Sequence, residues 1–261
     1  MKSCLPNILL PLISLVPFPA IAEVRLPNLF GDHMVLQQKK PVRVWGWAAP
    51  KEAVEVRFAG QVQKTKASGS EGSWIVELKP LEASSDGRSL TVTGKNNKVT
   101  LEDVVVGEVW VCGGQSNMEW SLRATRDADV EIASANSPGI RFIRLPKVAR
   151  LNPQEDFPVK SPQNPEGNWR QAIPEQVENC TGVGYYFAHR LHRFLKVPIG
   201  LIDISWGGTM AQHWCSKETL QGIPEVEPYF EKFETALEEW RKGGNAEGAQ
   251  KRYEADLKAY K

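Results

Sequence analysis

Two apolar runs, each ending in a glycine pair, constrain this chain more than any other feature. The first, "DVVVGEVWVCGGQSNMEWSL", covers residues 103–122. The second, "VPIGLIDISWGGT", covers residues 197–209. A run apolar on both faces is what a central parallel strand requires, because helices cover both sides of such a sheet. Between the two runs, "DADVEIASA" reads as a short helix with Asp127 as its N-cap, and "IRFIRL" reads as a strand. "TGVGYYFAHRLHRFL" repeats Val183, Tyr186, Phe187, Arg190-Leu191, Phe194 and Leu195 at helical spacing, with Thr181 as the cap. Strands alternating with helices predict βαβ units around a parallel sheet.

Residues 23–103 follow a different rule. "PVRVWGWA", "AVEVRFAG", "SWIVEL" and "SLTVTG" are short and two-fold periodic, the last two joined by a loop containing Asp86-Gly87. Short alternating runs between turn residues predict an antiparallel β-sandwich-like domain. Trp45, Trp47 and Trp74 lie in these runs as core residues or, alternatively, as a sugar-facing surface. The second domain is expected over 104–261, with a solvated helical insertion from about 217 and two helices flanking Gly243-Gly244.

The first 22 residues read as a leader. "MKSCLPNILLPLISLVPFPAIA" carries one lysine, an apolar stretch and Ala20-Ile21-Ala22 as a small-x-small cleavage site. Pro6, Pro11, Pro17 and Pro19 argue against a stable spanning helix. The expected location is periplasmic or secreted, with no membrane association after cleavage. Cys4 leaves with the leader, and Cys112, Cys180 and Cys215 remain. Export permits a Cys180–Cys215 bridge, two separate thiols being the default reading. A formal net charge of +1 gives no general attraction for nucleic acid. Neither C-x-x-C nor H-E-x-x-H occurs, so no metal or other cofactor is expected.

Ser116 follows the first strand end, and ligands in open parallel sheets sit at carboxyl ends. Gly113 and Gly114 permit a tight turn, after which a helix can start with the Ser116 N–H pointing outward. That combines a nucleophile with half of an oxyanion hole. Gly207 and Gly208 stand at the second strand end and can offer another N–H on the same rim. Gln115, Asn117 and His213 are the neighbours expected to support the site. Thr181 completes the sequon "NCT" but reads more simply as a helix cap.

"GEVWVCGGQSNMEW" resembles the nucleophile block of the sialate O-acetylesterase family within the SGNH hydrolases. "LFGDHMVLQQKKPVRVWGWA" resembles that family's opening β segment, and "VPIGLIDISWGGTMAQHW" its second glycine block. The resemblance implies a β-rich N-terminal domain followed by a three-layer, flavodoxin-like α/β domain. It also implies removal of O-acetyl groups from sialic acids or other acetylated sugars. Ser116 would be the nucleophile, and its N–H with that of Gly207 or Gly208 would form the oxyanion hole. The chain departs from the pattern at Gln212, where relatives carry glutamate. It also lacks the later W-Y-Q-G-E-x-N block, whose Asn completes the oxyanion hole, and the Asp-x-x-His pair that supplies the base. It therefore reads as the N-terminal portion of a longer esterase, incomplete at its C-terminus. The competing reading is a carbohydrate-binding protein without turnover, motivated by the missing base and the tryptophan-rich β segment.

Overall fold

The computed structural model describes residues 23–150, 153–158, 160–161, 165–243, 245, 247–248 and 251. The segment expected to be a leader, with Cys4, and most of the helix expected after Gly244 lie outside the described residues. The strands are β1 (Val35–Gln37), β2 (Val42–Trp47), β3 (Ala53–Phe58), β4 (Gln61–Lys66), β5 (Ser73–Leu78), β6 (Ser84–Thr93), β7 (Lys98–Cys112), β8 (Ser137–Arg144), β9 (Arg170–Ala172) and β10 (Ile199–Asp203). The helices are α1 (Ser116–Glu119), α2 (Ala128–Ser134), α3 (Gly182–Leu195), α4 (Lys217–Gln221) and α5 (Glu227–Lys242). No helix among the described residues is long and apolar enough to cross a membrane.

One large sheet runs β4-β3-β6-β7-β10-β8-β9, with β1 also paired to β7. It is mixed, which corrects the expectation of a parallel sheet. Parallel pairing is confined to β1/β7, β7/β10 and β10/β8. The reason is β7, whose fifteen residues continue one strand through the 103/104 boundary. Its first part pairs antiparallel with β6, and its last five residues pair parallel with β10. A separate antiparallel ribbon, β2–β5, packs on the β3-β6 region. Val44, Trp74 and Leu78 share one core with Val54, Val56, Leu90 and Val92.

The details near β6 differ from the sequence reading. Asp86 and Gly87 lie inside β6, not in a loop, and β5 pairs with β2 instead of with β6. Register shifts on either side of Arg88 absorb the extra residues as bulges. Gly87 fits there because it lies against Asp103, where a Cβ would overlap the carboxylate. β4 escaped notice because "QVQKTK" is polar, as suits a lysine-bearing edge strand. Trp47 and Trp74 are core residues, and Trp45 packs edge-on against Phe30 at 4.8 Å.

A second core lies between α3 and the β8-β10-β7 strands. Thr181 caps α3 as expected, its hydroxyl accepting from the Gly184 N–H at 3.3 Å. The buried face of α3 is Gly182, Gly184, Tyr185 and Ala188. Val183, Tyr186, Phe187, Phe194 and Leu195 face outward, Phe194 being 79% exposed. Small residues win the inner face because the helix lies close to the sheet. A Cβ at Gly184 would meet Cys112 Sγ at 3.1 Å and Leu201 at 3.3 Å. Asp127 precedes α2 with φ 54° and makes no side-chain cap. α5 is solvated throughout, as expected for the segment after 217. Cys112 and Cys180 are buried free thiols and Cys215 an exposed one, so the Cys180–Cys215 bridge is absent.

The two regions are pinned together at Arg141, whose side chain is only 5% exposed. Its guanidinium donates to the backbone oxygens of His33, at 3.0 Å, and of Asp103. It also pairs with the Asp103 carboxylate at 3.0 Å, to which His33 Nδ1 lies at 2.7 Å. Burial alone would raise the Asp103 carboxyl. The His33 hydrogen bond and the Arg141 charge outweigh it and hold the carboxyl below its ordinary value of 3.8. A depressed carboxyl stabilises the fold above its unfolded value, and that contribution is lost as pH falls through the folded value.

Asp103→Ala should destabilise the protein by about 3 kcal/mol at neutral pH, because it strands a buried guanidinium. Arg141→Met added to Asp103→Ala should recover part of that loss. Urea unfolding at pH 7 measures both, and the Asp103→Ala penalty should shrink as pH drops below 3.8.

Candidate active site

Parallel pairing of β7 with β10 brings both glycine turns to one rim. Past the strand ends, the Ile204 N–H donates to the Cys112 oxygen at 3.1 Å and the Trp206 N–H to the Gly114 oxygen at 2.8 Å. Gly114 has φ +140° and Gly208 φ +80°, conformations that favour glycine. Gly113 has no positive φ. The Gly207 backbone passes so close to Ser116 that a Cβ there would lie 3.7 Å from the serine Cα.

Ser116 is exposed and opens α1, which is a single turn of four residues. So short a helix supplies oriented N–H groups more than a macrodipole. Ser116 Oγ lies 3.4 Å from Gln115 Oε1. Asn117 is exposed beside it. Among the described residues, neither the Ser116 nor the Gly208 N–H donates to a protein acceptor, whereas the Gly207 N–H donates to Glu119 Oε2.

Glu119 was not singled out from the sequence, yet it ties the rim together. Besides Gly207, its carboxylate binds Arg144 at 3.0 Å, and Lys147. The Lys147 ammonium holds the Glu119 carboxyl below its usual range, the Gly207 N–H and Arg144 adding to the effect while burial opposes it. Arg144 ends β8, and its Nε also lies 4.0 Å from Asp203 Oδ2. That oxygen is buried without a hydrogen-bond partner among the described residues. Burial pushes the Asp203 carboxyl up, against hydrogen bonds from the Ser205 hydroxyl and N–H. Burial, with the Asp203 charge adding, pushes the Cys112 thiol up to about 12, so this strand-end cysteine stays protonated and unreactive at neutral pH.

Each of the four histidines has a partner other than Ser116. His213 Nδ1 accepts from the Met210 N–H at 2.9 Å, which leaves the proton on Nε2, 2.9 Å from the Tyr229 hydroxyl. His192 Nδ1 lies 2.7 Å from the Val197 oxygen, His189 stacks on Tyr185, and His33 meets Asp103. No described group of three or more His, Cys, Asp or Glu is arranged to hold a metal ion.

A mixed sheet with helices, carrying a serine and two glycine turns at its carboxyl rim, is consistent with an SGNH-like α/β esterase fold. Residues 106–251 match the family described as carbohydrate esterase, sialic acid-specific acetylesterase. The sialate O-acetylesterases of Mus musculus and Homo sapiens are 28% and 27% identical to the chain over 236 residues, 84% of its length. The crystal structure of a carbohydrate acetylesterase from Xanthomonas citri aligns over 76% of the chain, with a TM-score of 0.71 and 35% identity. The chain belongs to the sialic acid-specific acetylesterase family of carbohydrate esterases. It spans 43% and 44% of the length of those two curated relatives, and 44% of the solved one.

Two substitutions separate the hydrogen bond from the charge at Glu119. Glu119→Gln keeps an oxygen for the Gly207 N–H and should cost about 1 kcal/mol or less, since the ion pairs are partly solvated. Glu119→Ala should cost about 1–3 kcal/mol, because the Gly207 donor loses its acceptor. Chemical denaturation of both variants at pH 7 reads the difference.

Proposed function

We propose that this chain carries the nucleophile and two oxyanion donors of a serine-dependent hydrolase that removes O-acetyl groups from sialic acids or related acetylated sugars. The observation that carries the reading is the juxtaposition of Ser116 with the second glycine turn. Ser116 Oγ attacks the acetyl carbonyl, and charge develops on its oxygen. The Ser116 and Gly208 N–H groups are the donors left free to meet that charge. Of Gly207 and Gly208, either of which the sequence offered as donor, Gly207 has its N–H held by Glu119, which favours Gly208 in this role. The acetyl C–O bond to the sugar then breaks, the sugar leaves as its alcohol with the proton the base took from Ser116, and water hydrolyses the acetyl-enzyme to acetate and free Ser116.

The general base is supplied by an Asp-x-x-His beyond Lys261, in the part of the esterase this chain does not span. The hydrogen bonds of His33, His192 and His213 to other partners, and the stacking of His189 on Tyr185, support this reading. So does the share of the relatives' length that the chain covers. Residues 1–22 direct export to the periplasm or exterior, and cleavage follows Ala22. The non-catalytic sugar-binding reading is weaker, since Trp47 and Trp74 are core residues.

Hydrolysis of 9-O-acetylated sialic acid tests the proposal. The 261-residue chain alone should turn over little, and the same chain expressed with its downstream coding sequence should be active. Ser116→Ala in the active form should lose about 10⁴-fold or more in kcat with an unchanged melting temperature. Activity surviving in the alanine variant would remove Ser116 from the mechanism.

A further inference from the structure

At the carboxyl end of β8 lies a cleft of about 370 Å³, within the range of ligand sites. Arg123, Arg144 and Arg170 line it together with Phe142, Asn168 and Asn179. They come from four places in the chain: the turn after α1, β8, β9 with the loop before it, and the turn before α3. The lining has three guanidiniums and one carboxylate, Glu166, which is exposed. Arg144 is held by Glu119. Neither Arg123 nor Arg170 forms an ion pair with any described residue. Arg144 joins the cleft to the serine, because the Glu119 it binds also holds Gly207 and ends the turn that Ser116 begins.

Unpaired guanidiniums converging on a cleft suit a planar oxyanion, which a guanidinium binds through two parallel N–H···O bonds. The amides of Asn168 and Asn179 supply neutral polar groups for a sugar's hydroxyls, over a floor that includes the buried Phe142. We propose that this cleft is the anion subsite of the esterase and takes the carboxylate of an acidic acetylated sugar, with Arg123 and Arg170 as its principal ligands. The inference rests on the reading that Ser116 acts on an acetylated sugar. It adds where selectivity for an acidic over a neutral sugar arises.

Binding to the whole chain is the test, by titration calorimetry with N-acetylneuraminic acid, its methyl ester and inorganic phosphate as probes. The free acid should bind at least about tenfold more tightly than the methyl ester, the range expected of hydrogen bonds to a charged group. Arg123→Gln and Arg170→Gln should each bring the acid down towards the ester, and Arg170→Lys should restore part of the difference. Equal melting temperatures of these variants and the parent exclude a folding defect. Equal binding of acid and ester, unmoved by either substitution, would overturn the proposal. So would phosphate binding that depends on Arg123 and Arg170 while acid and ester bind equally poorly, for the cleft would then serve a free oxyanion. The readout needs no turnover, and Ser116→Ala should bind the acid like the parent. A form carrying the downstream coding sequence that discriminates acid from ester yet shows no Ser116-dependent turnover would therefore refute the catalytic reading and leave this one standing.

Discussion

The rest of the structure depends on β7 having two different partners in sequence along one edge. Its first part pairs antiparallel with β6, and its last residues pair parallel with β10. A strand's alternate residues point their N–H and C=O groups to one side, and each buried group needs a partner. Where β6 ends, β10 must take over or leave a row of backbone groups unpaired. That handover delivers Cys112 and Asp203 to the same height on the sheet, and so Ser116 and Gly207 to the same rim. Arg141 and Asp103 hold the junction from outside the ladder, the carboxylate occupying the bulge where Asp103 has φ 53°.

The rim is built from short-range geometry and one side chain of long reach. Glycine at 114 and 208 admits backbone conformations that other residues resist, and glycine at 207 leaves room for the Glu119 carboxylate. Glu119 and Gly207 are 88 positions apart, yet their hydrogen bond decides which N–H groups remain free to face a substrate. Arg144 and Lys147 keep that carboxylate ionised and therefore a strong acceptor. The same Arg144 lines the arginine-rich cleft, so the Ser116 rim and the cleft share a support.

Some of this was legible without coordinates. Apolar runs leading into "GGQS" and "WGG" marked strands of a sheet; β10 is largely buried as such a run requires, whereas Trp110 and Val111 at the end of β7 are exposed. Parallel topology then required both turns to share a rim, which the pairing of β7 with β10 bears out. The Thr181 cap was legible because capping is local, a hydroxyl reaching a backbone N–H three residues on. The solvated character of α5 followed from its charge in the same way.

What the sequence could not decide depends on distance between segments. The period of α3 predicts a helix but not which stripe lies inward. Closeness to Cys112 and Leu201 selected Gly184 and Ala188 and turned Phe194 out. Asp86-Gly87 looked like a turn because such residues usually serve turns, until Asp103 from another strand occupied the space beside Gly87. Glu119, Arg144 and the unpaired Arg123 and Arg170 are ordinary surface charges in a linear reading. Local composition determined the elements and the glycine turn before Ser116. Only the tertiary structure decided which charges meet, because a Coulombic or hydrogen-bonded contact depends on separation in space and not along the chain.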